Sequence, residues 1–331
     1  MFYLQTTNTT KSKPKDCLAN VKEPTRHKQF WFNRLRFTPS FFLTFFITLS
    51  LTAPFIMAQG PSNLETDAKT GNPEAQFQLA RALLKGEGMP KNTTRALELM
   101  TLAANQGHAE AMGGLGYFYA FGLEVNKDQK IAMEWFQKGA EAGGPKSQLN
   151  LGKLLIESKD PANIEEGIKW LQAAVDQKQP VAAEILGTIY FLGQYNQKID
   201  YRRAFDCLII SAEAGNANSQ NLVGFICSKP YLGQTDEREA ESWFRKAASA
   251  GSVKAMSNLG SLLWKKPNAD PQTRIEALKW LLVAQVRGEV TAEKTLSDLS
   301  MAIDTTELAE AKRLASQHQA DPLRQPRSEN Q

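Results

Sequence analysis

The sequence predicts an all-α protein: a right-handed α-α superhelical solenoid of about six helix-hairpin repeats with terminal capping helices. Three observations carry that prediction. The pairs Leu79-Ala80, Leu115-Gly116, Leu151-Gly152, Leu186-Gly187, Val223-Gly224 and Leu259-Gly260 recur at spacings of 36, 36, 35, 37 and 36 residues. Ala96, Ala132, Gly167, Ala204, Ala240 and Ala277 keep the same period, each followed three residues later by Leu99, Trp135, Trp170, Cys207, Trp243 or Trp280. Gly107, Gly143, Gly215, Gly251 and Gly288 close five of the units, and Lys178 takes that place in the third. Self-similarity at a fixed period of this size is the signature of a stacked repeat array.

The chain opens on a segment of a different kind. Residues 1–58 hold Lys11, Lys13, Lys15, Lys22, Arg26, Lys28, Arg34 and Arg36 against only Asp16 and Glu23, about +6 in all. With a net charge of +4 for the whole chain, the remainder is close to −2. The basic balance therefore belongs to the leader, which removes the main support for a nucleic-acid-binding domain. Directly after Arg36 comes an uncharged apolar run from Phe41 to Ala58, interrupted by Pro54. Basic residues followed by such a run and a small residue read as a secretory signal, with cleavage before Gln59. The run is also close to the length that crosses a bilayer, so an uncleaved inner-membrane anchor through 39–58 is the alternative. In either case the basic flank stays in the cytoplasm and the repeat domain is sent outward, to the periplasm or beyond the cell.

Residues 59–71 are expected to supply an N-terminal cap, with a half-hairpin from Asn63 to Thr70. The six units then run 72–107, 108–143, 144–178, 179–215, 216–251 and 252–288. Each reads as two helices. In the second unit Ala111, Leu115, Gly116 and Tyr119 fall on one helical stripe, Gly122 to Asp128 breaks the pattern, and Ile131, Ala132, Trp135, Phe136 and Ala140 form another stripe. Gly143-Gly144-Pro145 ends it, because glycine suits a left-handed cap and proline cannot continue a helix. Small residues such as Gly116 and Ala132 let helix backbones approach, while Trp135 and Tyr119 fill the space between hairpins. One hairpin cannot bury those aromatics, so stacking makes the core. Residues 289–318 carry Leu296, Leu299, Met301, Ile303, Leu308, Ala311 and Leu314 and read as C-terminal capping helices, with Thr305 or Thr306 capping the last. Residues 319–331, polar with two prolines from Asp321 on, read as a disordered tail.

The pattern Ala111-x3-Leu115-Gly116-x2-Tyr119-x2-Gly122-x2-Val125-x2-Asp128-x3-Ala132-x2-Trp135-x3-Gly139-Ala140-x2-Gly143 resembles the Sel-like (Sel-one-like) repeat, a relative of the tetratricopeptide repeat. The resemblance covers about two thirds of the chain. Departures fall at Ser158 and Pro230 in place of a loop glycine, at Cys207 in place of tryptophan, and in the loop from Lys265 to Asp270. It implies a concave face made by the first helices and used to bind a protein or peptide. On that geometry the residue after the small glycine points into the groove: Arg81, Tyr117, Lys153, Thr188, Phe225 and Ser261. A neighbouring column four residues earlier holds Phe77, Gly113, Leu149, Glu184, Asn221 and Ser257. Arg81, Tyr117, Lys153, Thr188, Asn221 and Phe225 are the expected partner contacts. The other reading of the apolar members is that they thicken the core.

The residues give no sign of chemistry. His27, His108 and His318 lie in the leader, a loop and the tail, far from any second ligand, and read as solvated; no metal or cofactor is expected. There is no phosphate loop and no Gly-x-Ser-x-Gly elbow. Glu165, Glu166, Glu237, Glu239 and Glu241 sit at starts of second helices, where the dipole favours them. Cys17 belongs to the leader. Cys207 and Cys227 occupy core positions of successive repeats, as a disulfide in an oxidising compartment or as buried free thiols. No catalytic residue is expected. The resemblance does carry an enzyme alternative, since cysteine-rich members of the group have been described as binding or hydrolysing β-lactams. Those members carry a Cys pair in every repeat, and this chain does not. Further alternatives it allows are a role in envelope or polysaccharide assembly and a secreted factor that engages a host.

Overall fold

The computed structural model describes residues 61–320. The leader, its signal or anchor, Cys17, His27 and the segment after 320 lie outside the described residues. Within them every regular element is helical. A single helix α1 (Pro61–Lys69) precedes six hairpins: α2 (Pro73–Lys85) with α3 (Thr93–Asn105), α4 (Ala109–Phe121) with α5 (Gln129–Glu141), α6 (Pro145–Glu157) with α7 (Pro161–Asp176), α8 (Pro180–Leu192) with α9 (Tyr201–Glu213), α10 (Ala217–Cys227) with α11 (Glu237–Ser249), and α12 (Val253–Trp264) with α13 (Pro271–Val286). A short α14 (Val290–Leu299) and a longer α15 (Thr305–Ala320) follow.

The helix starts are written in side chains. Every second helix begins after an Asn or Asp whose carboxylate or amide oxygen accepts from the first turn: Asn92, Asp128, Asp160, Asp200, Asp236 and Asp270. Such a cap satisfies backbone donors that the helix itself leaves open. The last helix obeys the same rule. Asp304, not Thr305 or Thr306, is its cap, accepting from Thr306 and Glu307 N–H at 2.8 and 3.1 Å. First helices are capped more variously, by Asn72, His108, Gln179, Asn216 and Ser252, while Gly144 caps α6 without a side chain.

Within a hairpin the small residue of the first helix receives a bulky one from the second. A Cβ at Gly116 would stand 2.6 Å from the Phe136 ring, so only glycine lets α4 and α5 close. Between hairpins the tryptophans do the filling. Trp243 and Trp280 are 8% and 6% exposed. Their indole N–H groups donate to Glu239 and Glu276 one turn earlier at 3.3 and 3.2 Å, as Trp170 does to Glu166 at 3.2 Å. Lys246 and Lys279 lie over the two buried rings, each 3.9 Å from the centroid. Buried polar groups pair across units as well: Gln76 donates to the Ala68 carbonyl and accepts from Gln106 at 2.8 Å, and Gln148 repeats both bonds with Ala140 and Gln177.

Two histidines are structural and not solvated. His108 Nδ1 accepts from Ala111 N–H while Nε2 meets Glu74 of the preceding unit at 2.9 Å, and the ring rests on Phe77 at 4.8 Å. The loop position that suggested solvent is an N-cap wedged between repeats. His318 is buried, edge-on to Trp280 at 5.1 Å. It belongs to α15, which packs directly on α13 and is tied to it by the Arg274–Glu307 ion pair. Cys207 and Cys227 are both free and buried, so the disulfide alternative is not realised in this structure.

Candidate functional site

First helices of neighbouring units touch one another directly, α4 with α6, α10 with α12 and α12 with α14. They close on each other at one height. A Cβ at Gly113 would lie 2.6 Å from Ser147 Oγ; Asn258 Nδ2 donates to Asn221 Oδ1 at 2.9 Å; and Ser257 and Thr291 hydroxyls meet at 3.1 Å. This is the earlier of the two columns, and it is a seam. Asn221 is 7% exposed and engaged by Asn258, which corrects its place among the partner contacts. Gly113, Leu149 and Ser257 are buried with it. The reason is helical geometry: residues four apart share a face, but one turn back that face meets the next helix.

One turn further on, the column stays open. Arg81, Tyr117 and Lys153 are exposed, and Thr188, Phe225 and Ser261 are half-buried. Arg81 is held by its own helix, with Nη1 donating to Gln78 at 3.0 Å and the guanidinium 5.8 Å from the Phe77 ring centre. Tyr117 packs against Phe121 with the rings tilted by 37° and their centroids 4.4 Å apart, yet the two are 50% and 63% exposed. Phe121 is absent from the sequence-derived set, although its spacing of four from Tyr117 was the available signal. Lys153 and Thr188 face each other across a cleft of about 310 Å³ between α6 and α8, whose wall includes Glu157, Glu184, Ile185 and Tyr195. Glu184 is fixed there by Asn216 Nδ2 at 2.9 Å.

Phe225 stands apart from that cleft. It packs edge-on to Phe191 at 5.8 Å and beside Tyr231 at 6.2 Å, and Tyr231 stacks on Tyr201 at 3.8 Å. Tyr231 comes from the short 3-10 turn Pro230–Leu232, where the repeat pattern loses its loop glycine. Burial and the neighbouring Tyr231 hydroxyl push the Tyr201 phenol above its usual range. Phe225 is thus half core and half surface.

Burial, reinforced by Asp206, pushes the Cys207 thiol up to about 11; burial and Glu239 with Asp236 push Cys227 up to about 12. Such thiols are poor nucleophiles at neutral pH. The glutamates at the second-helix starts are engaged in structure: Glu239 binds Trp243, and Glu241 binds Arg245 and Lys266 at 2.9 and 2.6 Å. Among the described residues no group of three or more His, Cys, Asp or Glu could hold a metal ion, and no helix is long and apolar enough to cross a membrane.

Known proteins share this design. The Sel1 repeat matches residues 73–108, 109–144, 145–178, 180–216 and 217–252, which is more than half of the chain; the hairpin α12–α13 lies beyond those ranges. An uncharacterized protein of Neisseria meningitidis serogroup B is 28% identical over 59% of this chain and 40% of its own length. A chitin synthase regulator of Saccharomyces cerevisiae is 25% identical over 72% of this chain and 36% of its own. The chain thus spans less than half the length of these relatives. Among solved structures, a protective antigen present in uropathogenic Escherichia coli strains, displaying the same repeat fold, aligns with a TM-score of 0.60 at 25% identity, over 77% of this chain and 54% of that one. A Sel1 repeat protein from Oxalobacter formigenes aligns at 0.52 with 27% identity, over 67% and 89%. With the repeat matched five times in one register and the same helical stack in its solved relatives, this chain belongs to the Sel1 repeat family, a scaffold typical of protein–protein interaction.

Proposed function

We propose that this chain is an exported, non-catalytic adaptor that grips a protein partner on its first-helix face, in the periplasm or outside the cell. The observation that carries the reading is the exposed, tilted Tyr117–Phe121 pair, flanked by Arg81 one unit before and the Lys153 cleft one unit after. An aromatic pair packed together and left half in water offers a partner a large rigid surface at small entropic cost. Export is supported by the basic leader and the apolar run that ends at Ala58; an uncut leader would leave the same domain anchored and facing outward.

Affinity capture from an envelope extract tests the surface. The full chain is compared with an Arg81→Glu, Tyr117→Ala, Lys153→Glu variant of unchanged melting temperature. A protein held by the first and lost by the second supports the reading. Equal capture by both, or none by either, contradicts it. N-terminal sequencing after cell fractionation tests export: a chain beginning at Gln59 outside the cytoplasm is the expected result, and an uncut cytosolic chain the contrary one.

A further inference from the structure

The junction of the third and fourth repeats breaks the pattern on the second-helix side, and the departures meet in one place. Cys207 in α9 holds the position that Trp135, Trp170, Trp243 and Trp280 hold elsewhere. Arg203, one turn earlier, stands where Glu166, Glu239 and Glu276 accept an indole N–H. Lys178, just after α7, stands where the five other units carry glycine, and it adopts the same left-handed backbone at φ 62°, a conformation that any Cβ disfavours. All three side chains line one cleft of about 720 Å³ between α7 and α9. Its apolar wall is Ile168, Val175, Tyr190 and Ile210. Where a tryptophan seals the neighbouring units, this unit is open, with a volume in the range of roughly 300–1,000 Å³ that small ligands occupy.

The charges around the cleft say what it would accept. Lys169 is paired with Glu165 at 3.0 Å, and Asp176 accepts from Gln172 at 2.9 Å. Arg203 lies 3.6 Å from Asp200 and over the Tyr190 ring at 5.4 Å. The side chains of Lys178 and Asp206 face the cleft with no ion pair or hydrogen bond to another described residue. An ammonium and a carboxylate, neither engaged in an ion pair, thus border, beside Arg203 and Asp176, a space where the fold elsewhere places an indole. We propose that this cleft binds a small aromatic molecule carrying both charges, of the aromatic amino acid class. The ring lies where the repeat's tryptophan would be, the ligand carboxylate meets Lys178, and its ammonium meets Asp206. Apart from Tyr190, the site is built by the second helices and the turn after α7, and it does not depend on the partner face.

Calorimetric titration of the full chain tests this with four probes: L-tryptophan, tryptamine, indole-3-propionate and N-acetyl-L-tryptophanamide. L-tryptophan is expected to saturate one site. Tryptamine and indole-3-propionate, each lacking one charge, should bind roughly tenfold more weakly, and N-acetyl-L-tryptophanamide, lacking both, roughly a hundredfold. Cys207→Trp, which restores the residue of the sister repeats, should abolish binding. Lys178→Gly, which restores the glycine of the five other units and so keeps the fold, should weaken it about tenfold. No saturable binding of L-tryptophan, equal binding of the uncharged amide, or full binding by Lys178→Gly would overturn the proposal.

Discussion

Two pairs of aromatic residues, on opposite sides of this array, meet opposite fates. On the second helices Trp243 and Trp280 are buried between hairpins, hydrogen-bonded by glutamates and covered by lysines. On the first helices Tyr117 and Phe121 pack against each other at a tilt and remain half in solvent. The difference lies in what each side must do. The second-helix ring closes a gap that no hairpin can close alone, so its removal unseals the core. The first-helix ring lies one turn beyond the seam that Gly113, Asn221 and Ser257 form, so the stack is complete without it. An array of this kind confines its glue to fixed columns and leaves the next column free to vary.

Breaking that comparison at its strongest point should have the largest effect. Trp243→Ala removes a buried indole and is expected to destabilise by about 3–5 kcal/mol, read from chemical denaturation; a change under 0.5 kcal/mol would mean that the ring is not structural. Asn221→Ala cuts the seam between α10 and α12 by leaving Asn258 without its acceptor, and should cost about 1 kcal/mol by the same measurement. The Arg245–Glu276 pair, bonded at 2.5 and 2.9 Å, joins adjacent second helices. Arg245 holds the Glu276 carboxyl below its usual 4.5. The resulting stability is complete above the unfolded value and is lost as pH falls through the lower folded one. Arg245→Met should remove part of the acid dependence of the melting temperature below pH 5, an effect of under about 1 kcal/mol for a half-exposed pair. Tyr117→Ala should change stability least, by no more than about 0.5 kcal/mol, while it abolishes partner capture.

The same contrast explains how much could be read before the structure. Columns that seal the stack announce themselves by recurring: the small residue at Gly116, the tryptophans and the closing glycines all land on the helices and turns their period predicted. The Asn and Asp caps recur too, and Asp304, in the place of Asp270 and Asp236, takes the capping role expected of the threonines beside it. What a single period does not carry is depth. Asn221 and Phe225 lie one turn apart on the same helix face, and only the approach of α12 puts the first in the seam and leaves the second at its edge. His108 and His318 were misplaced for the same reason: their partners, Glu74, Phe77 and Trp280, come from other helices. The outer cleft did leave a trace, since Cys207, Arg203 and Lys178 each break a column, but their meeting in space is a property of the fold.

The proposed binding role requires that the open column touch a partner. A photo-crosslinking amino acid placed at Tyr117 in cells producing the full chain, with the same residue at the exposed Met133 of α5 as the comparison, tests that directly. A discrete crosslinked protein from position 117 and none from 133 is the predicted result. No crosslink at 117, or the same products from both positions, would contradict it.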